Sequence, residues 1–230
     1  MGIDRRKNYY MVLDTETCNG IVVNDKLDLS QSLVYDIGFQ VIDKKGTVYT
    51  AASFAIYETF CGMRDVMNSA YYADKLPKYW EDIKAGTRKL VKFATARKAV
   101  LEAMKKYSVV AVIAHNAGFD TRALNNTERY LTKSKYRFFF PYNTVIWDSL
   151  KMATDTICKQ KSYINFCLEN DFMTKHKTPR VRATAEILYK YISGEYDFVE
   201  EHQGLDDVII ESQIFVHCLK QHKKMRKALY

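Results

Sequence analysis

The chain has 230 residues, of which 47% are apolar and 13% aromatic, with only 9 Gly and 3 Pro. That is enough to bury one sizeable core, and it excludes a disordered, low-complexity or repeat protein. Lys and Arg number 35 against 27 Asp and Glu, and the resulting net charge of +8 favours capture of a polyanion without proving one. Cys18, Cys61, Cys158, Cys167 and Cys218 are odd in number and scattered, without the spacing of a zinc site, so they read as reduced thiols. Neither a signal peptide nor an apolar run long enough to span a bilayer is visible, and no membrane role is expected. The expectation is an intracellular, cytoplasmic protein of bacterial or phage-like kind.

Tyr9 to Leu13 is a short β-prone run that stops at Asp14-Thr15-Glu16, which puts carboxylates at the end of a buried strand. Val34 to Ile42 and Thr47 to Tyr57 are β-rich and flank Asp43-Lys44-Lys45-Gly46, good turn chemistry for an antiparallel hairpin. From Gly62 to Tyr107 the pattern is helical, clearest over Phe93 to Tyr107. Val109 to Ile113 is a fourth strand, ending at His115-Asn116-Ala117-Gly118-Phe119-Asp120, and Thr121 to Leu131 is helical. A brief fifth strand, Thr144 to Trp147, leads into Asp148-Ser149-Leu150. Helices are expected around Tyr163 to Leu168, Ala183 to Ile192 and Leu205 to Lys220. Antiparallel strands followed by βα units predict an α/β fold, a mixed five-stranded sheet flanked by helices. Sites in such sheets gather at the carboxyl ends of strands.

Three clusters carry chemistry. Asp14 and Glu16 lie on one side of an extended segment, because strand side chains alternate with period two. His115, Asn116, Phe119 and Asp120 crowd a strand-to-helix turn, where His115 and Asn116 are equally suited to capping and Phe119 to core packing. His202 lies just before a helix whose inward stripe is Asp207, Ile210, Ile214, Cys218, so Asp207 rather than Asp206 faces the sheet. Four carboxylates at one edge repel each other unless cations are bound, and hard oxygen donors select two divalent ions, Mg²⁺ or Mn²⁺. A site of that kind suits phosphoryl chemistry.

Asp14-Thr15-Glu16-Thr17, His115-Asn116-Ala117-Gly118-Phe119-Asp120 and His202-x-x-x-x-Asp207, in that order, resemble the three motifs of the DEDDh (DnaQ-like) 3′→5′ exonucleases. Val34 to Phe39 resembles that family's second strand, and Trp147 to Ala153 its segment after the fifth. The resemblance implies a ribonuclease-H-like fold over one exonuclease domain spanning residues 1–230, with helical insertions near 62–92 and 172–198. It implies hydrolysis of terminal phosphodiesters of DNA or RNA to nucleoside 5′-monophosphates by a two-metal mechanism. Asp14, Glu16, Asp120 and Asp207 would bind metal, Asp14 bridging both ions and Asp120 acting mainly through water. His202 would be the base. Thr15, Thr17, His115, Asn116 and Phe119 would line the pocket for the terminal nucleotide. The expected partner is nucleic acid with a free 3′ end, single-stranded DNA before RNA, with a polymerase or replication partner on a separate chain. Alternatives are a catalytically weak binding module of the same fold and an RNA-trimming exoribonuclease. Thr17-Cys18-Asn19-Gly20 departs from the family's usual Thr-Thr-Gly by one inserted residue. Lys175, Lys177, Arg180 and Arg182 form a cationic loop that either holds a phosphate backbone or is a solvated surface, and the tail from Lys223 to Lys227 reads as a frayed end.

Overall fold

The apolar alternation of Tyr9 to Leu13 continues into β1 (Tyr9–Cys18), which lies centrally in a six-stranded sheet of a computed structural model. The structure describes residues 3–18, 21–23, 26–28, 30–68, 73–200 and 202–229. Asn19-Gly20 and the Tyr71-Tyr72 pair lie outside these residues. A small ribbon of β2 (Ile21–Val23) and β3 (Lys26–Asp28) leads to the expected hairpin, β4 (Leu33–Asp43) and β5 (Val48–Ile56). Its turn is closed by Asp43, whose Oδ1 accepts the Lys45 and Thr47 N–H groups, while Gly46 takes a positive φ of 88°. That conformation suits glycine, which has no Cβ to clash.

Helical turns α1 (Tyr57–Phe60), α2 (Arg64–Asn68), a 3₁₀ turn at Ala73–Lys75 and α3 (Leu76–Ala85) follow. The stretch then returns to the sheet as β6 (Lys89–Val91), which pairs parallel to β5. The sheet therefore has six strands rather than five, because Lys89-Leu90-Val91 closes its edge within a region read as helical. The strand is only three residues long, too short for period two to register. Next come α4 (Phe93–Tyr107), β7 (Ala111–Ala114), α5 (Ala117–Thr132), β8 (Ile146–Asp148), α6 (Ser149–Asp155), α7 (Lys161–Glu169), α8 (Ala185–Ser193) and α9 (Gly204–Lys220). The sheet order is β6-β5-β4-β1-β7-β8, with β4 antiparallel to both neighbours and β1, β7 and β8 parallel.

Period two divides β1 between two cores. Tyr10 and Val12 pack with Val208, Ile214 and Phe215 of α9, and Tyr9, Met11 and Leu13 pack with Phe93, Val100 and Leu124 of α4 and α5. A third core joins Tyr35 and Ala55 to Phe60 and Tyr79, so the 62–92 region buries its own apolar face against the sheet. Within 172–198 only α8 is helical; residues before it form a narrow loop bridged at Met173 and Val181. Among the described residues, no helix is long and apolar enough to cross a membrane.

The tail is not frayed. Arg226 makes a bidentate pair with Asp155, and the Asp148 N–H donates to the Lys227 carbonyl at 2.8 Å. Leu229 N–H donates to Ile146 O, and Ala228 bridges Trp147, so the tail lies along the free edge of β8. A lysine-rich sequence carries no sign of this because the contacts are mostly backbone.

Candidate active site

The alternation that sorts the β1 core also aims its polar end. Asp14 and Glu16 continue the Tyr10–Val12 stripe toward α9, while Thr15 continues the opposite stripe toward α5. Thr15 Oγ1 accordingly donates to Asp120 Oδ1 at 2.8 Å, joining the first motif to the second. Asp120 is buried in the first turn of α5, which begins after Asn116 turns the chain with a left-handed φ of 67°.

On the α9 side, Glu16, His202 and Asp207 each bring one ligand atom within 4.8 Å of the others. Asp207 is buried and Asp206 exposed, as the helical stripe requires. His202 adopts a left-handed φ of 53°, which turns the chain into the start of α9. The two residues that follow it, Gln203 and Gly204, are held by a buried network. Asp36, paired in register with Glu16, accepts from Tyr79 Oη at 2.8 Å, from Gly204 N at 3.0 Å and from Arg88 Nη1. Arg88 Nη2 in turn donates to Gln203 Oε1 at 2.9 Å and its guanidinium stacks on the Tyr79 ring. Tyr79 and Arg88 come from the 62–92 region, which thereby holds the residues that follow His202.

Asp14, Glu16, Asp120, His202 and Asp207 line one cleft of about 590 Å³ together with Thr15, His115, Asn116 and Phe119. Thr17 is not brought in. It lies beyond a register shift between Glu16 and Thr17 on β1 and is absent from the cleft wall. His115 has both ring nitrogens engaged, Nε2 with the Ala183 carbonyl at 2.8 Å and Nδ1 with Ser149 Oγ at 3.0 Å. Burial depresses its pKa, so the ring is neutral with its proton on Nε2, the nitrogen facing a carbonyl that can only accept. It pins the strap Val181 to Thr184 over the cleft, helped by Tyr163 Oη donating to the Arg182 carbonyl at 2.6 Å. Asn116 is exposed at the mouth, its N–H bound to the Asp148 carboxylate that also caps α6. Of the four cations in the preceding loop, Arg182 reaches the cleft.

Two acidic residues of the cleft were not singled out from the sequence, Glu200 and Glu211. Glu211 is one helical turn beyond Asp207 on a stripe otherwise apolar, and a carboxylate at that position is the signal that could have found it. Asp36 and Arg88 were also missed, since nothing local marks a long-range buried pair.

The electrostatics fit a cation site. Burial raises Asp14 well above the carboxylate range, reinforced by Asp120 and Asp207. Glu16 rises for the same reason, reinforced by Asp14. Burial likewise pushes Asp120 up to about 7 and Asp207 to about 9, the latter helped by the charges of Glu200 and Glu16. Asp14 Oδ2 is buried with no hydrogen-bond partner, an arrangement that costs free energy unless something else fills the gap. Oxygen donors crowded in this way, with one imidazole beside them, match the preferences of Mg²⁺ and Mn²⁺.

The mixed sheet, with β4 antiparallel to both neighbours and an acidic cleft where the end of β1 meets α5 and α9, has the fold of solved 3′ exonucleases. The nuclease domain of 3′hExo, described as a DEDDh family member and bound to rAMP, superposes with a TM-score of 0.53 over 97% of this chain and 98% of its own, at 15% identity. A full-length 3′-exonuclease superposes with a TM-score of 0.55 over 96% and 85%, at 16% identity. Exonuclease I of E. coli, in complex with a 5cy-dT13 oligonucleotide, gives 0.53 over 94% of this chain and 41% of its own, at 10% identity. No family model and no curated protein matches the sequence.

Proposed function

We propose that this chain is a divalent-metal-dependent 3′→5′ exonuclease that hydrolyses the terminal phosphodiester of single-stranded DNA or RNA and releases nucleoside 5′-monophosphates. The observation that carries this reading is the convergence of Glu16, His202 and Asp207 within 4.8 Å in the cleft that also holds Asp14 and its unpartnered oxygen. Similarity of fold to exonucleases seen with rAMP and with an oligonucleotide supports it.

Asp14, Glu16 and Asp207 would hold the metal ions, with Asp120 oriented toward them by Thr15. When bound, two divalent ions supply Lewis-acid stabilisation of the charge that develops on the phosphoryl group. His202, at the rim beside Glu16 and Asp207, takes the proton of the attacking water on a ring nitrogen. Phe119 offers a face for the terminal base, Leu150 an apolar wall, and Arg182 a cation for the backbone. His115 serves by fixing the strap that carries Arg182. A full set of four motif carboxylates favours turnover over the binding-only alternative. The site geometry lends no support to a polymerase or replication partner. Residues 1–230 are read as one catalytic domain, the 62–92 region bracing it through Tyr79 and Arg88.

The test is incubation of 3′-end-labelled and 5′-end-labelled single-stranded DNA and RNA with Mn²⁺ or with EDTA. Mononucleotides should appear from the 3′ end only with metal. His202→Ala should slow release by about 10²–10⁴-fold while keeping Mn²⁺ binding, the size expected for a lost general base. Asp207→Asn should lose both. Equal cleavage of closed circular substrate would overturn the exonuclease assignment.

A further inference from the structure

Helix α5 begins at the cleft and leads away from it. Phe119, Arg122, Asn126, Arg129, Tyr130 and Lys133 follow one another at helical spacing, so they fall within about a 100° arc of the helix surface. Phe119 lines the cleft, and Arg122, Tyr130 and Lys133 are exposed. The two acids of the helix, Asp120 and Glu128, are buried and lie off this arc. From Phe119 to Lys133 the track is about 21 Å long.

At its far end Asn126, Arg129, Tyr130, Lys133 and Lys135 line a hollow of about 410 Å³. Between Glu128 and Asp148 the sequence contains no acid, while Arg129, Lys133, Lys135 and Arg137 are basic. None of Arg122, Arg129, Lys133 and Lys135 has an ion-pair partner among the described residues. Their charges lie over aromatic rings instead: Lys133 Nζ is 4.2 Å from the Tyr130 centroid, Arg129 Cζ 4.9 Å from that of Phe138 and Lys135 Nζ 5.1 Å from that of Tyr136. Those rings are 43%, 53% and 79% exposed. Solvation accounts for surface cations, but not for aromatic faces left in water beside them; large apolar groups exposed together mark a surface that something covers. Single-stranded nucleic acid complements both, with phosphates for the cations and unpaired bases for the rings.

We infer that the outer face of α5 and the turn after it, through Arg122, Arg129, Tyr130, Lys133, Lys135 and Tyr136, bind the strand upstream of its 3′ end. This rests on the reading of the cleft as the seat of the 3′ terminus, and adds a length requirement to it. A strand stacked at 3.4 Å per nucleotide reaches Lys133 in about six nucleotides, and an extended one in fewer. Only unpaired bases can lie on the rings, so the surface selects single strands over duplex.

The test is fluorescence anisotropy of 5′-labelled oligothymidylate, about ten nucleotides long, with the full chain in EDTA at several salt concentrations, where hydrolysis does not compete. The protein carrying Arg122→Ala, Lys133→Ala and Lys135→Ala should bind more weakly, and the slope of log affinity against log salt should shrink by about 2, the share of three phosphate contacts on a single strand. Tyr130→Ala with Tyr136→Ala should weaken binding about fivefold or more and leave that slope alone, because stacking releases no counterions. The protein carrying Arg122→Lys, Lys133→Arg and Lys135→Arg, which keeps every charge, should keep the slope. With Mn²⁺, the alanine variants should raise KM for mononucleotide release from the long strand, while kcat and both constants for a strand of about three nucleotides stay as in the wild type. Alanine variants that bind the long strand like the wild type overturn the proposal. So does a charge-keeping variant that loses as much slope as the alanine one, or a blunt duplex of equal length that competes as well as the single strand. Failure of the exonuclease reading would appear separately, as absence of mononucleotide release from a protein that still binds the strand.

Discussion

The residue least visible in sequence is the one on which the loop after His202 leans. Asp36 is fully buried and answers three donors, among them a guanidinium that is 4% exposed. Replacing Asp36 with Asn keeps the size but leaves Arg88 with only the longer and more exposed contact to Asp82, 3.7 Å from its Nε. Breaking a buried pair from one side costs about 3–5 kcal/mol. Urea unfolding of Asp36→Asn should therefore show a loss of that order, and a loss below about 1 kcal/mol would mean that water reaches Arg88. The double change Asp36→Leu with Arg88→Met should recover much of it, because an apolar pair removes both buried charges. The site residues themselves were more legible. Asp14 and Glu16 could be placed by period two, and Asp207 chosen over Asp206 by the helical stripe, because each lies within a regular element whose phase is fixed by apolar neighbours. Roles that depend on contacts across the chain were not: His115 turns out to brace the strap through Ala183, and Thr17 falls beyond a bulge.

At the scale of elements, β4 and α9 approach so closely that two glycines meet. A Cβ on Gly38 would come within 2.1 Å of the Gly204 carbonyl carbon, and one on Gly204 within 2.7 Å of Gly38 N. Both clashes are with backbone, which cannot rotate away. Gly38→Ala should push the start of α9 outward, costing at least about 1–3 kcal/mol as overpacking does. Because Asp207 and His202 sit at that end of the helix, Mn²⁺ affinity should fall with it, measurable by titration; unchanged stability and affinity would contradict the close approach. The hairpin, the βα units and α9 could be read ahead of time, since their patterns run for at least a full period. β6 could not, because its three residues join the sheet through backbone pairing to β5 rather than through any pattern of their own.

For the molecule as a whole, gathering acids in one cleft sets the pH dependence of folding. Asp120 titrates near 7 and Asp207 near 9 in the folded chain, against 3.8 for an ordinary aspartate. A pKa raised by folding means that the folded state holds protons that the unfolded chain has released. Stability is then greatest below about pH 4 as far as these groups are concerned, and is lost as pH rises through 7 and on to 9. Asp43, lowered to about 2 by burial outweighed by Lys7 and backbone donors, acts the other way but only below pH 4. The metal-free melting temperature should thus fall between pH 5 and 9, and saturating Mn²⁺, which binds the ionised carboxylates, should flatten or reverse the slope. A metal-free melting temperature that climbs over this range would refute the cleft electrostatics.

The pinned tail has a bearing on how the molecule behaves in company. A β-strand at the margin of a sheet offers unpaired amides and carbonyls to any other chain with a similar margin. Here Lys227, Ala228 and Leu229 already occupy the outer side of β8, anchored by Arg226 on Asp155. Trimming residues 226–230 should unmask Ile146 to Asp148 and let copies zip together, seen as a concentration-dependent rise in scattering and in sedimenting mass. Arg226→Ala should do the same more weakly, by loosening the latch while leaving the covering strand in place.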